Sequence, residues 1–136
     1  MIKGQSKKES GFSKPSVLER EFQATVIEMA KAFGWECFYI PDSAKAGAVG
    51  RPKGWPDLTL CHPVMRILIF AELKSDSRDS QPSTDQEKWL TILVNCGENV
   101  QLWRPAMWDH IEKVLQGPAE RTLLALDRSD VGRWMR

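Results

Sequence analysis

The sequence predicts an α/β domain: a helix, three strands, a second helix, a fourth strand and a third helix, with the strands in one mixed, mostly antiparallel sheet flanked by the helices. Three observations predict it. Apolar residues recur at helical spacing in three separate stretches, the continuous apolar run Ile67 to Ala71 has the character of a strand covered on both faces, and breaker-rich links divide the segments.

The elements follow in order. Leu18, Phe22, Val26, Met29, Ala30 and Phe33 recur at steps of three and four, laying one stripe on a helix, with Ser16 as its N-cap and Gly34 as its stop. Trp35 to Ile40, aromatic and closed by Pro41, reads as the first strand. Residues 41–56 carry Gly47, Gly50, Gly54, Pro41, Pro52 and Pro56 with Lys45, Arg51 and Lys53; connections of this length usually have a ligand to meet. Asp57 to Cys61 and Arg66 to Lys74 form two strands joined by residues 62–65 as a hairpin. After a polar linker (residues 75–82), residues 84–95 present Trp89, Leu90, Leu93 and Val94 as a second stripe that Gly97 stops. Val100 to Trp103 is the last strand. Pro105 opens the third helix, which runs to Leu115 with Met107, Trp108, Ile111, Val114 and Leu115 inward.

Length and composition set limits on these elements. At 136 residues, 42% hydrophobic and 27% charged, the chain is an ordinary globular protein of about one domain. Residues 1–15, with almost nothing apolar, read as a flexible arm; 16–116 hold the domain, and 117–136 form an extension with room for one short helix. Nineteen basic against eighteen acidic residues leave a net charge of +1, so any nucleic-acid role must rest on local arrangement. Apolar runs fall far short of the roughly 20 residues that span a bilayer, and the N-terminus lacks an apolar signal core. The expectation is a cytoplasmic protein without membrane contact. Cys37, Cys61 and Cys96 are too widely spaced for a zinc ribbon or a disulfide framework, and adjacent Cys61 and His62 read as a strand end running into the Pro63 turn.

The chemistry gathers at the end of the apolar strand, where Ile67 to Ala71 gives way abruptly to Glu72, Leu73 and Lys74. Alternation puts Glu72 and Lys74 on one face, about 7 Å apart, and Leu73 on the other. A hairpin centred between Val64 and Met65 sets Asp57 opposite Glu72, with Cα atoms about 4.5 to 5.5 Å apart. Two carboxylates that close repel unless a positive partner intervenes. A hard divalent cation is one, held by one or two carboxylates, waters and substrate phosphate oxygens, with Lys74 placed to assist a water or a developing charge. The same spacing also fits an exposed ion-pair cluster that contributes little.

Gly54-Trp55-Pro56-Asp57, fourteen intervening residues, then Glu72-Leu73-Lys74 resembles the Gly-x-Pro-Asp and Glu-x-Lys motifs of the PD-(D/E)XK nucleases, and more narrowly their VRR-NUC branch. Glu19 in a Glu-x-x-Phe context, Gln86 within Ser83 to Trp89, and Gly97 followed by Val100 and Leu102 extend the resemblance over residues 16–115. It implies a restriction-endonuclease-like αβββαβ core and a Mg²⁺-dependent DNA endonuclease, with Mn²⁺ able to substitute. It further implies that Asp57 and Glu72 bind the metal, with the Leu73 carbonyl adding an oxygen and Glu19 supporting through water. Lys74 then assists the nucleophilic water and Gln86 orients a site group. Stand-alone members act on branched DNA, including four-way junctions, in bacteria and phage-infected cells; symmetric resolution would call for a homodimer.

Several residues keep a structural alternative. Ser16 with Glu19, and Ser83 with Gln86, are capping boxes that close helix starts. Glu21 is a rival acid to Glu19. Lys45, Arg51 and Lys53, and Lys3, Lys7, Lys8 and Lys14 of the arm, suit phosphate contacts or plain solvation. Trp55 suits base stacking or packing, whereas Trp89, Trp103 and Trp108 suit the core. The rival functions are a catalytically inactive DNA- or partner-binding module on the same scaffold and, third, a sequence-specific restriction-type enzyme, for which few residues remain to read bases.

Overall fold

The computed structural model describes residues 19–40, 52–117, 126 and 129. Its elements are α1 (Glu19–Ala32), β1 (Glu36–Tyr39), β2 (Leu58–His62), β3 (Ile67–Leu73), α2 (Thr84–Asn95), β4 (Asn99–Trp103), a 3₁₀ turn (Pro105–Met107) and α3 (Trp108–Gln116). The sheet runs β1-β2-β3-β4, the first three antiparallel and β4 parallel to β3. A parallel neighbour needs a crossover, and α2 supplies it. The mixed αβββαβ order expected from the sequence is the order found.

Two apolar layers enclose the sheet. Phe22, Val26, Met29 and Ala30 of α1 and Trp108, Ile111, Val114 and Leu115 of α3 pack on one face with Leu58, Leu60, Ile67, Ile69, Ala71, Leu73 and Trp103. Leu90, Leu93 and Val94 of α2 cover the other face around Val100 and Phe70. That second cover is incomplete: Leu68 is 39% exposed, so β3 is shielded on both faces only along its C-terminal half, not along the whole apolar run. Among the described residues, α2 reaches Phe70 and Val100 but leaves Leu68 exposed.

The ends of the elements have identifiable causes. Gly34 takes φ +95°, and the Trp35 amide donates to the Ala30 carbonyl (3.0 Å), which closes α1 through a left-handed cap. A side chain there would also meet His62 Nε2 at 3.0 Å. His62 itself accepts from the Met65 amide at Nδ1 (3.0 Å), which leaves Nε2 as the nitrogen that donates to the Phe33 carbonyl (2.8 Å). With both nitrogens engaged, His62 is a turn residue; beside it Cys61 is exposed, and Cys37, Cys61 and Cys96 are free thiols. The link between β2 and β3 is residues 63–66, one position later than expected, with Arg66 in the left-handed region.

The third helix is not continuous from Pro105. A 3₁₀ turn precedes α3, and the Ala106 amide within that turn is satisfied by Asp76 Oδ1 (3.0 Å). The C-terminal end of α3 gains a buried partner too, since Trp35 Nε1 donates to the Leu115 carbonyl (2.8 Å).

A buried polar ladder lies in β4. Gln101, fully buried, accepts from Trp103 Nε1 (3.1 Å) and donates to Asn99 Oδ1 (2.9 Å). Gln101→Leu is expected to leave the Trp103 indole N–H unsatisfied and to cost about 1–3 kcal/mol, read as a lower urea midpoint with unchanged slope. An unchanged midpoint would show that the ladder adds no net stability.

The arm 1–15, Ser16, Leu18, Pro41, Lys45, Gly47, Gly50, Arg51 and most of the extension 117–136 lie outside the described residues. Of the extension, Leu126 donates its amide to the Val100 carbonyl (2.8 Å) and packs against the α2 layer. Among the described residues no helix is long and apolar enough to cross a membrane.

Candidate active site at the end of the central hairpin

The hairpin pairs Leu58 with Ala71, Thr59 with Phe70 and Leu60 with Ile69. Carried one step past its last pair, this register sets Asp57 across from Glu72, as the turn position predicts. Asp57 Oδ2 accepts from the Leu73 amide (2.8 Å), which ties the carboxylate to the backbone beside Glu72. Leu73, the last residue of β3, faces the α1 and α3 layer, so Glu72 and Lys74 share the opposite face.

Glu72 is 0% exposed, and neither carboxylate oxygen has a hydrogen-bond partner. Lys74 Nζ lies 3.6 Å from Glu72 Oε2, an ion-pair contact too long for a good hydrogen bond, with the Lys74 side chain 12% exposed. Burial, and next the negative charge of Asp57, push the Glu72 carboxyl from its ordinary 4.5 up to about 9; Lys74 opposes the shift and Glu19 adds to it. An orphaned, buried carboxylate costs stability unless something completes it.

The segment before Asp57 is clamped to α2. Gly54 has φ +91°, and a Cβ there would come within 2.5 Å of the Asp85 carbonyl carbon in the first turn of that helix. Trp55 meets Phe70 and Trp89 edge-on, with ring centroids 5.8 and 5.2 Å away. Trp55 is therefore a packing residue, and Pro56 beside it is buried. Lys53, 90% exposed, lies 3.7 Å from Asp85 Oδ2. Of the expected phosphate-contacting residues it is the one described.

Glu19 opens α1 as an exposed residue and acts on Glu72 through its charge. Among the described residues no three His, Cys, Asp or Glu side chains gather into a cation-binding group, so Glu19 does not complete a three-carboxylate cage with Asp57 and Glu72. Gln86 forms the capping box of α2: its Oε1 accepts from the Ser83 amide (2.8 Å), and its own amide donates to Ser83 Oγ (3.2 Å).

Sequence reasoning missed two residues near the site. Arg104, just after β4, donates from Nη1 to the Ser75 carbonyl and from Nη2 to Gln81 Oε1 (3.4 Å), and Asp76 reaches the Ala106 amide from the same linker. Neither lies on an apolar period or in a motif; the one signal is a charged residue at a strand end facing a polar linker.

The donor set fits a hard divalent cation. Both buried oxygens of Glu72 lack hydrogen-bond partners, a second carboxylate stands across the hairpin, and such a cation is typically held by one or two carboxylates with waters and substrate oxygens.

No protein-family model and no curated protein matches the sequence. Solved structures do match. A "VRR_NUC domain" is 21% identical with a TM-score of 0.55, covering 72% of this chain and 94% of that one. A "VRR_NUC domain protein" is 20% identical with a TM-score of 0.52, covering 80% and 90%. The mixed sheet with its parallel strand delivered by α2 thus belongs to a known architecture: the chain has the VRR-NUC domain fold.

Proposed function

We propose that this protein is a divalent-metal-dependent DNA endonuclease that hydrolyses phosphodiester bonds in branched DNA such as four-way junctions, with Mg²⁺ as its cofactor and Mn²⁺ able to replace it. One observation carries the reading: a fully buried glutamate with no hydrogen-bond partner sits across a hairpin from an aspartate and 3.6 Å from a lysine. A surface ion-pair cluster would be solvated instead. The VRR-NUC fold supports nuclease chemistry and DNA as substrate.

Asp57 and Glu72 would hold the metal, with the Leu73 carbonyl as a further oxygen and Glu19 as an outer carboxylate reaching through water. A cation bound there supplies Lewis-acid polarisation of the scissile phosphate and a lowered pKa for attacking water. The Leu73 amide fixes Asp57 in orientation. Lys74, nearly excluded from solvent, sets a positive charge where negative charge builds on the phosphorane and orients the water. Gln86 uses its carbonyl to cap α2, which leaves its amide nitrogen for a phosphate oxygen or water. Lys53, with Lys45 and Arg51 of the same loop, contacts phosphates flanking the cut. Junction preference and a two-fold dimer rest on the sequence resemblance.

The test is to incubate the purified protein with single-stranded, duplex, flapped and four-way DNA, with Mg²⁺ and with chelator. Cleavage should require the metal, favour the junction, and fall by roughly 10³-fold or more in Asp57→Ala and Lys74→Ala, which retain the fold. Cleavage by both variants at the parent rate would remove the assigned site. Metal-independent DNA binding without any cleavage would instead identify a non-catalytic binding module.

A further inference from the structure

We propose that Arg104 is a positioning residue for Lys74, acting through the linker that leaves the catalytic strand; this rests on the nuclease reading of the site. Lys74 lies one residue past β3, where sheet pairing ends. Two anchors flank it, and both come from the same short segment. Its own amide donates to the Trp103 carbonyl (3.0 Å), and the next residue, Ser75, offers its carbonyl to Arg104 Nη1. Arg104 Nη2 reaches Gln81 Oε1 at the far end of the linker (3.4 Å), and Asp76 accepts from the Ala106 amide (3.0 Å).

The linker between these anchors is closed on itself. Ser75 donates its amide to Ser80 Oγ, Ser77 to Ser75 Oγ and Asp79 to Ser77 Oγ, each at 3.2 Å. Such a loop moves as a unit, held to the segment after β4 by the Arg104 guanidinium at Ser75 and Gln81 and by the Asp76 carboxylate at the Ala106 amide. A lysine at 104 can offer a charge but not a planar fork to two acceptors at once. Without the fork, Lys74 keeps its sheet-side amide bond but loses the anchor on its following carbonyl. The ammonium is then free to wander from its place 3.6 Å from Glu72. Misplacement of a catalytic group by about 1 Å typically costs on the order of 10²-fold in rate.

Single-turnover and steady-state cleavage of labelled four-way junction DNA with Mg²⁺ tests this. Arg104→Ala is expected to lower kcat by roughly 10- to 100-fold with KM within about twofold, and Arg104→Lys to recover part of the loss. The Mn²⁺-induced rise in melting temperature should be that of the parent, since Asp57 and Glu72 are untouched. In a Lys74→Ala background the Arg104 substitution should have no further effect on the residual rate. The same fold-loss with and without Lys74, or a loss confined to KM, overturns the proposal while leaving the nuclease assignment standing. Full activity of Lys74→Ala would remove the role of Lys74 and this inference with it, whereas no cleavage by the parent would remove the nuclease assignment on which the inference rests. Should Arg104→Ala not fold, Arg104→Lys, combined with Lys74→Ala, carries the same comparison.

Discussion

Glu72→Gln is expected to abolish metal-dependent hydrolysis and, at the same time, to make the metal-free protein more stable. The carboxyl is fully buried with both oxygens unbonded, and burial and Asp57 push it up to about 9. A carboxyl raised in the folded state binds its proton more tightly there than in the unfolded chain. Its contribution is therefore fully present below about 4.5 and is lost progressively as pH rises through about 9. Across that window metal-free stability should fall by at most about 1.4 kcal/mol per pH unit from this group. The amide introduced by Glu72→Gln does not titrate, so the substitution should flatten the slope, and the variant's lead in melting temperature should widen by roughly a few degrees per pH unit. Thermal melts with chelator at a series of pH values measure it. Parallel curves for parent and variant would show that Glu72 is not held protonated.

Gly54→Ala should be the most damaging change outside the charged set. The glycine sits at φ +91°, where a side chain costs about 1–2 kcal/mol, and its new Cβ would stand 2.5 Å from the Asp85 carbonyl carbon and 2.6 Å from its oxygen. Backbone cannot swing aside as a side chain can, so the loop must lift from α2. Trp55 then withdraws from Phe70 and Trp89, and Asp57, three residues on, leaves its bond to the Leu73 amide. A destabilisation of roughly 2–4 kcal/mol and a cleavage loss of about 10²-fold or more are expected, measured by urea unfolding and by junction cleavage. Gly97→Ala serves as the contrast: Gly97 also has positive φ, but a Cβ there meets nothing within 4 Å. Equal effects of the two substitutions would mean that strain alone, and not the clamp on α2, explains Gly54.

Much of this was legible in the sequence, for physical reasons. The hairpin register followed from strand alternation and a short turn, and the observed pairs, carried one step past Leu58 and Ala71, set Asp57 across from Glu72. The bounds of α2, residues 84–95, followed from a capping box and a stopping glycine, which act locally. The exposure of Leu68 did not follow, because an apolar run reports what a strand tolerates and not how far one covering helix reaches. The 3₁₀ start of the third helix is met by Asp76, thirty residues away in sequence, and the linker is anchored by Arg104. Contacts of that range leave no periodic trace. Gln101 was hidden for a related reason: a polar residue in a strand looks exposed until its neighbours Asn99 and Trp103 are seen to satisfy it.

A calorimetric Mn²⁺ titration of the DNA-free protein near neutral pH, in two buffers of different ionisation enthalpy, tests the central claim most directly. If Asp57 and Glu72 share a cation at the end of the hairpin, one ion binds and about one proton leaves with it, since Glu72 must ionise to ligate. Asp57→Asn and Glu72→Gln should each lose that binding. Binding that persists in both variants, or a parent protein that takes up no Mn²⁺, would contradict the claim.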